Sequence, residues 1–142
     1  MVIDASVWIA AFLPEDVHHA PATALLRQLA QERRRVVLPT LAQVEIAGAI
    51  ARRSDSAETA TAVLHFLLAQ GWIEHAALDS HQARAAAALA AGCRLRGPDA
   101  VYVALAASRG LPLIALDLEM LERAPAEVER MTPADWLQRA SG

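Results

Sequence analysis

Short apolar runs alternate with longer amphipathic stretches along the chain, and two of the short runs end on an aspartate. Val2-Ile3 stops at Asp4, and the run from Leu113 to Leu116 stops at Asp117. Uninterrupted apolar and β-branched residues are typical of strands buried on both faces of a parallel sheet. The carboxyl ends of such strands share one edge, where ligands bind. If the two runs are neighbouring parallel strands, both aspartates face one crevice, which indicates a cation.

The segments between the apolar runs have the features of helices. Asp4 or Ser6 can cap the first helix, and apolar positions repeat at helical spacing from His18 to near Arg33. A later helix has the capping-box form, with Thr40 as N-cap and Gln43 reaching back. Strands alternate with helices to the end of the chain without a repeat or a linker. This order predicts one α/β domain with a parallel sheet.

Glu45 and Asp99 are two further acids in unusual places. Glu45 is the only polar side chain between Val44 and Ala51, and Asp99 opens an apolar helix directly after Pro98. A carboxylate on an apolar face is costly unless it is paired or bound to a cation. The competing interpretations are a solvent-facing Glu45 paired with Arg52 or with another element, and a simple helix-dipole role for Asp99.

Four acids at such positions favour a metal site over four separate helix-start roles. Carboxylate oxygens are the ligands that Mg²⁺ and Mn²⁺ prefer, and these ions take further ligands from water and phosphate. Ions bound in this way promote phosphodiester cleavage. The candidate ligands are Asp4, Glu45, Asp99 and Asp117.

Composition narrows the function further. The chain has 142 residues, of which 55% are hydrophobic, which is enough for a substantial core. Its net charge of −3 means that nucleic acid must be bound by local arginines or through metal ions. All 13 basic residues are arginine, which excludes chemistry that needs a lysine. A phosphatase of the haloacid dehalogenase kind, with Asp4 as nucleophile, lacks both that lysine and a second aspartate at Ser6.

Cysteine content and hydropathy predict a cytoplasmic protein that does not associate with membranes. Cys93 is the only cysteine, so no disulfide forms within the chain. No signal peptide is visible at the start of the sequence. No apolar run approaches the ~18 residues that a membrane helix needs.

Four motifs in order resemble the PIN-domain nucleases and, within them, the VapC-type toxins of bacterial toxin–antitoxin modules. They are Val2-Ile3-Asp4-Ala5-Ser6, the run from Leu38 to Glu45, the helix opened by Pro98-Asp99-Ala100, and the run from Gly110 to Asp117. The resemblance spans nearly the whole chain. It implies a single PIN-like three-layer domain over residues 1–142, whose central, mostly parallel sheet of four to five strands is flanked by helices.

The resemblance also implies a metal-dependent endoribonuclease. The four acids named above would bind Mg²⁺ or Mn²⁺, and Ser6 would hydrogen-bond a ligand or water. Arg94 and Arg96 are candidates to hold RNA phosphate, or they are ordinary surface charges. The family usually has Thr or Ser where Ala115 stands, two residues before the last aspartate. Glu119 is a candidate to share that aspartate's role, with a solvent-facing helix position as the alternative.

The partners implied by the resemblance are an RNA substrate, a second copy of the chain and a cognate antitoxin. Family members act as toxins, are usually homodimers, and are silenced when an antitoxin covers the site. Trp8 and Phe12 on the first helix are candidates for a hydrophobic antitoxin groove, with core packing as the alternative. A degenerate PIN domain retained as a binding module is the non-enzymatic hypothesis, which Ala115 keeps open.

Overall fold

A computed structural model describes residues 1–140 and places five strands in one sheet. The strands are β1 (Val2–Ile3), β2 (Val36–Pro39), β3 (Ile73–Ala76), β4 (Leu113–Ile114) and β5 (Arg130–Met131). Their spatial order is β3-β2-β1-β4-β5, and every neighbouring pair is parallel. The predicted α/β fold with a mostly parallel sheet is confirmed, with β1 and β4 adjacent.

Burial explains why the central strands contain only apolar residues and a proline. Every residue of β1, β2 and β4 is buried, while the edge strands β3 and β5 also contain half-buried positions. Central strands of a parallel sheet are covered by helices on both faces, so both alternating sets of side chains are apolar.

Eight helices connect and flank the strands within residues 1–140. They are α1 (Ala5–Phe12), α2 (His19–Gln31), α3 (Leu41–Ser54), α4 (Ala57–Ala69), α5 (Ser80–Cys93), α6 (Gly97–Arg109), α7 (Leu118–Arg123) and α8 (Pro133–Ala140). Helix α1 packs on α2 and α3, α3 on α4, and α2 on α8, whereas α5 packs on α6. Helix α6 lies against β1, β2 and β4, at the centre of the sheet. None of these helices is long and apolar enough to cross a membrane.

Of the predicted helix caps, the Asp4 alternative for α1 is confirmed and the Thr40 cap of α3 is wrong. Asp4 caps α1, since its Oδ2 accepts the N–H of Ser6 at 2.9 Å, and the helix begins at Ala5. Thr40 makes no cap bond, and its Oγ1 instead accepts the N–H of Leu78 at 3.3 Å. The hydroxyls of Ser6 and Thr40 each bind a backbone N–H that lies far along the chain, and that contact replaces the local cap.

Candidate active site

The carboxyl edge of the sheet carries Asp4 and Asp117, as predicted. Strands β1 and β4 pair directly, and the N–H of Asp4 donates to the carbonyl of Ile114 at 2.9 Å. Asp117 follows β4 and caps α7, its Oδ1 accepting the N–H of Met120 at 3.0 Å. The two aspartates therefore start neighbouring helices at the same edge of the sheet.

Asp4 is an acid placed almost out of contact with solvent. Only 7% of it is exposed, and among the described residues it is the one charged residue that is buried. Burial raises the pKa of Asp4, and the negative charge of Asp99 adds to the effect. An ionised carboxylate at this position needs a positive charge nearby to offset its lost hydration.

Glu45 comes to the same place from α3. The carboxylate is half-buried, and its Oε2 accepts a hydrogen bond of 2.5 Å from the hydroxyl of Tyr102. Burial raises the pKa of Glu45, and the charges of Asp4 and Asp99 raise it further. No cation within residues 1–140 forms an ion pair with Glu45, so the predicted alternative of a pair with Arg52 is wrong.

Asp4, Glu45 and Asp99, called the acidic cluster below, come from three different elements. Asp4 follows β1, Glu45 is on α3, and Asp99 lies in the first turn of α6. The charge of Asp99 contributes to the raised pKa of Asp4, and the charges of Asp4 and Asp99 contribute to the raised pKa of Glu45, so the three carboxylates lie within electrostatic range of one another. A cluster of this kind repels itself until a cation is bound.

Arg96 supplies the positive charge on one side of the acidic cluster. Its Nε donates to Oδ2 of Asp99 at 2.8 Å, and its Nη2 donates to Oδ2 of Asp117. The same two carboxylates raise the pKa of Arg96. Asp117 is therefore joined to the cluster through this guanidinium. Arg94 is exposed at the end of α5 and makes no such contact with the four acids within the described chain.

The donor set suits a divalent cation in its chemistry. All four candidate ligands are carboxylates, the hard oxygen donors that Mg²⁺ and Mn²⁺ prefer. Within residues 1–140, however, no three acidic, histidine or cysteine side chains are gathered closely enough to hold one metal ion. Closing the four acids around one ion therefore requires side-chain movement, starting with Arg96, which pairs with two of them.

Ser6 takes over part of the role expected at position 115. Its Oγ accepts the N–H of Leu116 at 3.2 Å, which ties the segment before Asp117 to the start of α1. Ala115 is buried and contributes no side-chain hydrogen bond. Glu119 is exposed and pairs with Arg123 at 2.8 Å, which agrees with the solvent-facing interpretation of that residue.

Sequence reasoning missed Tyr102. It is the only polar side chain in the apolar stretch of α6 from residue 100 to 107, and it stands one turn after Asp99. Burial raises the pKa of Tyr102, as do the charges of Asp4 and Glu45, so the phenol stays protonated and donates. A lone hydroxyl within an apolar helix, spaced i+3 from a candidate ligand, was the available signal.

A cleft of about 190 Å³ lies away from the acids, among α1, α2 and α4. Its wall is almost entirely apolar, and Phe66 is 48% exposed at its rim. Trp8 stacks on Trp72 with ring centroids 6.0 Å apart, and Phe12 meets Phe66 edge-on at 5.7 Å. Trp8 is 1% exposed, so it belongs to the core as well as to the cleft.

The comparisons with known proteins agree with this fold. The sequence profile of the PIN domain matches residues 1–126. The match covers most of the chain, and the chain belongs to the PIN-domain family. No curated protein sequence matches it.

Solved structures with this fold include toxins and toxin–antitoxin complexes. VapC20 of Mycobacterium tuberculosis, described as a sarcin–ricin loop cleaving toxin, matches with a TM-score of 0.74 and 19% identity over 90% of this chain and 98% of that one. DNA-bound VapBC from Salmonella typhimurium matches with a TM-score of 0.71 and 18% identity, covering 93% and 96%. A toxin–antitoxin complex from Klebsiella pneumoniae matches with a TM-score of 0.66 and 17% identity, also covering 93% and 96%. At these identities the likeness shows the fold.

Proposed function

We propose that this chain is a metal-dependent endoribonuclease and the toxin of a toxin–antitoxin pair. The observation that carries the proposal is the acidic cluster at the carboxyl edge of a PIN-domain sheet, where burial and mutual repulsion raise the pKa of Asp4 and Glu45. Such an arrangement is unfavourable unless a cation is bound. VapC20, which has the same fold, is described as a sarcin–ricin loop cleaving toxin, and this supports RNA as the substrate.

Each residue of the site has a stated role in this proposal. Asp4, Glu45, Asp99 and Asp117 hold Mg²⁺ or Mn²⁺. A bound ion of this kind lowers the pKa of a water ligand and stabilises the leaving oxygen of a phosphodiester.

Ser6 and the two arginines act around these acids. Ser6 fixes the segment that carries Asp117 through its bond to Leu116. Arg96, once it leaves Asp99 and Asp117, is free to contact RNA phosphate. Arg94, exposed two residues earlier, adds a second positive charge for the same purpose.

Cleavage of RNA by the purified chain tests the proposal. With millimolar Mg²⁺ or Mn²⁺ we expect cleavage of ribosomal RNA containing a sarcin–ricin stem-loop, and with EDTA none. Asp4→Asn should lower the rate by about 100-fold or more, because a ligand is lost while the helix cap is kept. Asp79→Asn is the matched control, since Asp79 also caps a helix, accepting the N–H of Gln82 at 2.8 Å, but lies outside the cluster.

A binding module without activity is the second candidate, and two observations favour it. Arg96 already neutralises two of the acids, and Ala115 has replaced the hydroxyl residue that the family usually has before the last aspartate. The same assay separates the two candidates. Cleavage that survives EDTA or Asp4→Asn contradicts the metal-dependent nuclease, and no cleavage under any condition favours the binding module.

The partners we propose are a cognate antitoxin and a second copy of the chain. Several matched structures are themselves toxin–antitoxin complexes. The apolar cleft among α1, α2 and α4 is the surface proposed for the antitoxin, because exposed aromatic side chains such as Phe66 are suited to receive an apolar segment. Light scattering on the free chain tests the homodimer.

A further inference from the structure

The hydroxyl of Tyr102 is buried among the acids of the proposed site, and its partner comes from a different helix. Tyr102 is 0% exposed in α6, yet its hydroxyl reaches across to Oε2 of Glu45 in α3 at 2.5 Å. A buried phenol hydroxyl needs a hydrogen-bond partner. Here the partner is the carboxylate of Glu45, a candidate metal ligand. A backbone carbonyl could have satisfied the hydroxyl equally well if Tyr102 served only to pack the core.

The bond leaves one oxygen of Glu45 uncommitted. Within residues 1–140, Tyr102 is the only hydrogen-bond donor to the Glu45 carboxylate, and it binds Oε2. The lone pairs of Oε1 are therefore available to coordinate a cation. Because the phenol ring is locked in the core, the direction of the donated hydrogen bond is fixed, and with it the orientation of the carboxylate.

We propose that Tyr102 is a positioning residue that holds Oε2 of Glu45 so that Oε1 is presented to the divalent cation. Residues that hydrogen-bond a metal ligand orient it and typically change metal affinity or activity by about 10–100-fold when they are removed. The inference rests on the proposed function, since it needs a cation at the acidic cluster. Tyr102 is not one of the four acids that the sequence motifs supply as metal ligands.

The test is the affinity of the full chain for Mn²⁺, measured by isothermal titration calorimetry on metal-free protein. Tyr102→Phe keeps the ring and removes only the hydroxyl, and we expect the dissociation constant for Mn²⁺ to rise about 10-fold or more. Val101→Ala is the matched control on α6. Val101 lines a separate small cavity with Ala76 and Leu78, so its loss affects stability and leaves Mn²⁺ affinity unchanged.

A double-mutant cycle separates positioning from packing. Tyr102→Phe should have no further effect on Mn²⁺ affinity in a Glu45→Gln background, because the hydroxyl acts through that carboxylate. Equal Mn²⁺ affinity of wild type and Tyr102→Phe overturns the inference, as does an additive effect of the two substitutions. A wild-type chain that binds no Mn²⁺ contradicts the proposed function itself, which is a different outcome from either of these.

Discussion

At the scale of single residues, Asp4 caps α1 and also carries a buried negative charge, and only the cap survives replacement by a neutral amide. Its Oδ2 caps α1 through the N–H of Ser6, a role that asparagine performs as well as aspartate. Its negative charge sits in a buried site beside Asp99, and the role we propose for that charge is to bind a cation. Asp4→Asn therefore removes the charge and keeps the cap.

We expect Asp4→Asn to stabilise the metal-free protein at neutral pH. Folding raises the pKa of Asp4, so the folded state holds this proton more tightly than the unfolded state does. The contribution to stability is full below the ordinary carboxyl pKa and is lost as pH rises through the raised pKa. Because the asparagine amide of Asp4→Asn carries no charge at any of these pH values, we expect the variant to have the larger free energy of unfolding at neutral pH, and the difference to shrink as pH falls toward the ordinary carboxyl pKa.

Urea unfolding in EDTA at several pH values measures this effect. The wild type should lose more stability than Asp4→Asn between the ordinary carboxyl pKa and neutrality. The pKa of Glu45 is also raised, so the stability of Asp4→Asn should still fall as pH rises, but less steeply than that of the wild type. Asp79→Asn, at an exposed cap, should follow the wild type. A variant less stable than wild type at neutral pH would contradict the argument.

The sequence predicted these acids because their positions conflict with local rules. An acid inside an apolar helix and acids at the ends of apolar strands are identifiable one by one. The sequence did not indicate that Arg96 pairs with Asp99 and Asp117, or that Tyr102 binds Glu45. The Tyr102–Glu45 bond depends on how α6 faces α3, and the Arg96–Asp117 pair depends on where the starts of α6 and α7 meet. Local pattern determines neither.

At the scale of elements, the two apolar runs that end on aspartate are β1 and β4, and the helical spacing from His18 to near Arg33 corresponds to α2. Ser6 and Thr40 do not cap their helices, for a shared reason. Each hydroxyl oxygen accepts a hydrogen bond from a backbone N–H that is distant in sequence and is brought close by folding. The N–H groups in the first turn of the helix are therefore not its partners.

The cleft among α1, α2 and α4 leads to a prediction about the antitoxin. Phe66→Ala removes an aromatic side chain from its rim, and loss of such an anchor typically costs about 2 kcal/mol or more in binding, roughly 30-fold in affinity. The measurement is the affinity for the protein encoded beside this chain in the genome. RNA cleavage by the variant should be unchanged, because none of the four acids lines the cleft.

Leu68→Ala is the matched control for this prediction. Leu68 is 49% exposed on the same helix as Phe66, but it does not line the cleft. We expect its substitution to leave antitoxin affinity close to wild type. If the two variants weaken binding equally, α4 contributes to the interface through some other surface and the cleft is not the binding site.

At the scale of the whole molecule, topology determines which acids meet. β1 lies at the centre of the sheet between β2 and β4, so the helices that follow β1, β2 and β4 all start at one edge. Asp4 and Asp117 cap two of these helices, and Glu45 lies near the start of the third. The fourth acid, Asp99, is delivered by α6, which lies across the same three strands. The strand order therefore explains why four acids from distant parts of the chain converge.

Convergence of acids in a chain of net charge −3 predicts that divalent cations stabilise the fold. A ligand that binds only the folded state at 100 times its dissociation constant adds about 2.7 kcal/mol, which corresponds to several degrees in Tm for a domain of this size. Differential scanning fluorimetry with Mg²⁺ or Mn²⁺, against NaCl of equal ionic strength, measures the shift. Asp4→Asn should reduce it strongly.

Arg96→Ala should enlarge this metal-induced shift. The guanidinium of Arg96 is the cation already paired with Asp99 and Asp117, so an incoming ion must displace it. Because Arg96 is mostly exposed, its loss should change the metal-free Tm by only a few degrees at most. Arg94→Ala, two residues earlier and unpaired with these acids in the described chain, is the matched control and should behave as wild type. A smaller shift in Arg96→Ala than in Arg94→Ala would mean that Arg96 helps to hold the ion's ligands in place and does not compete with it.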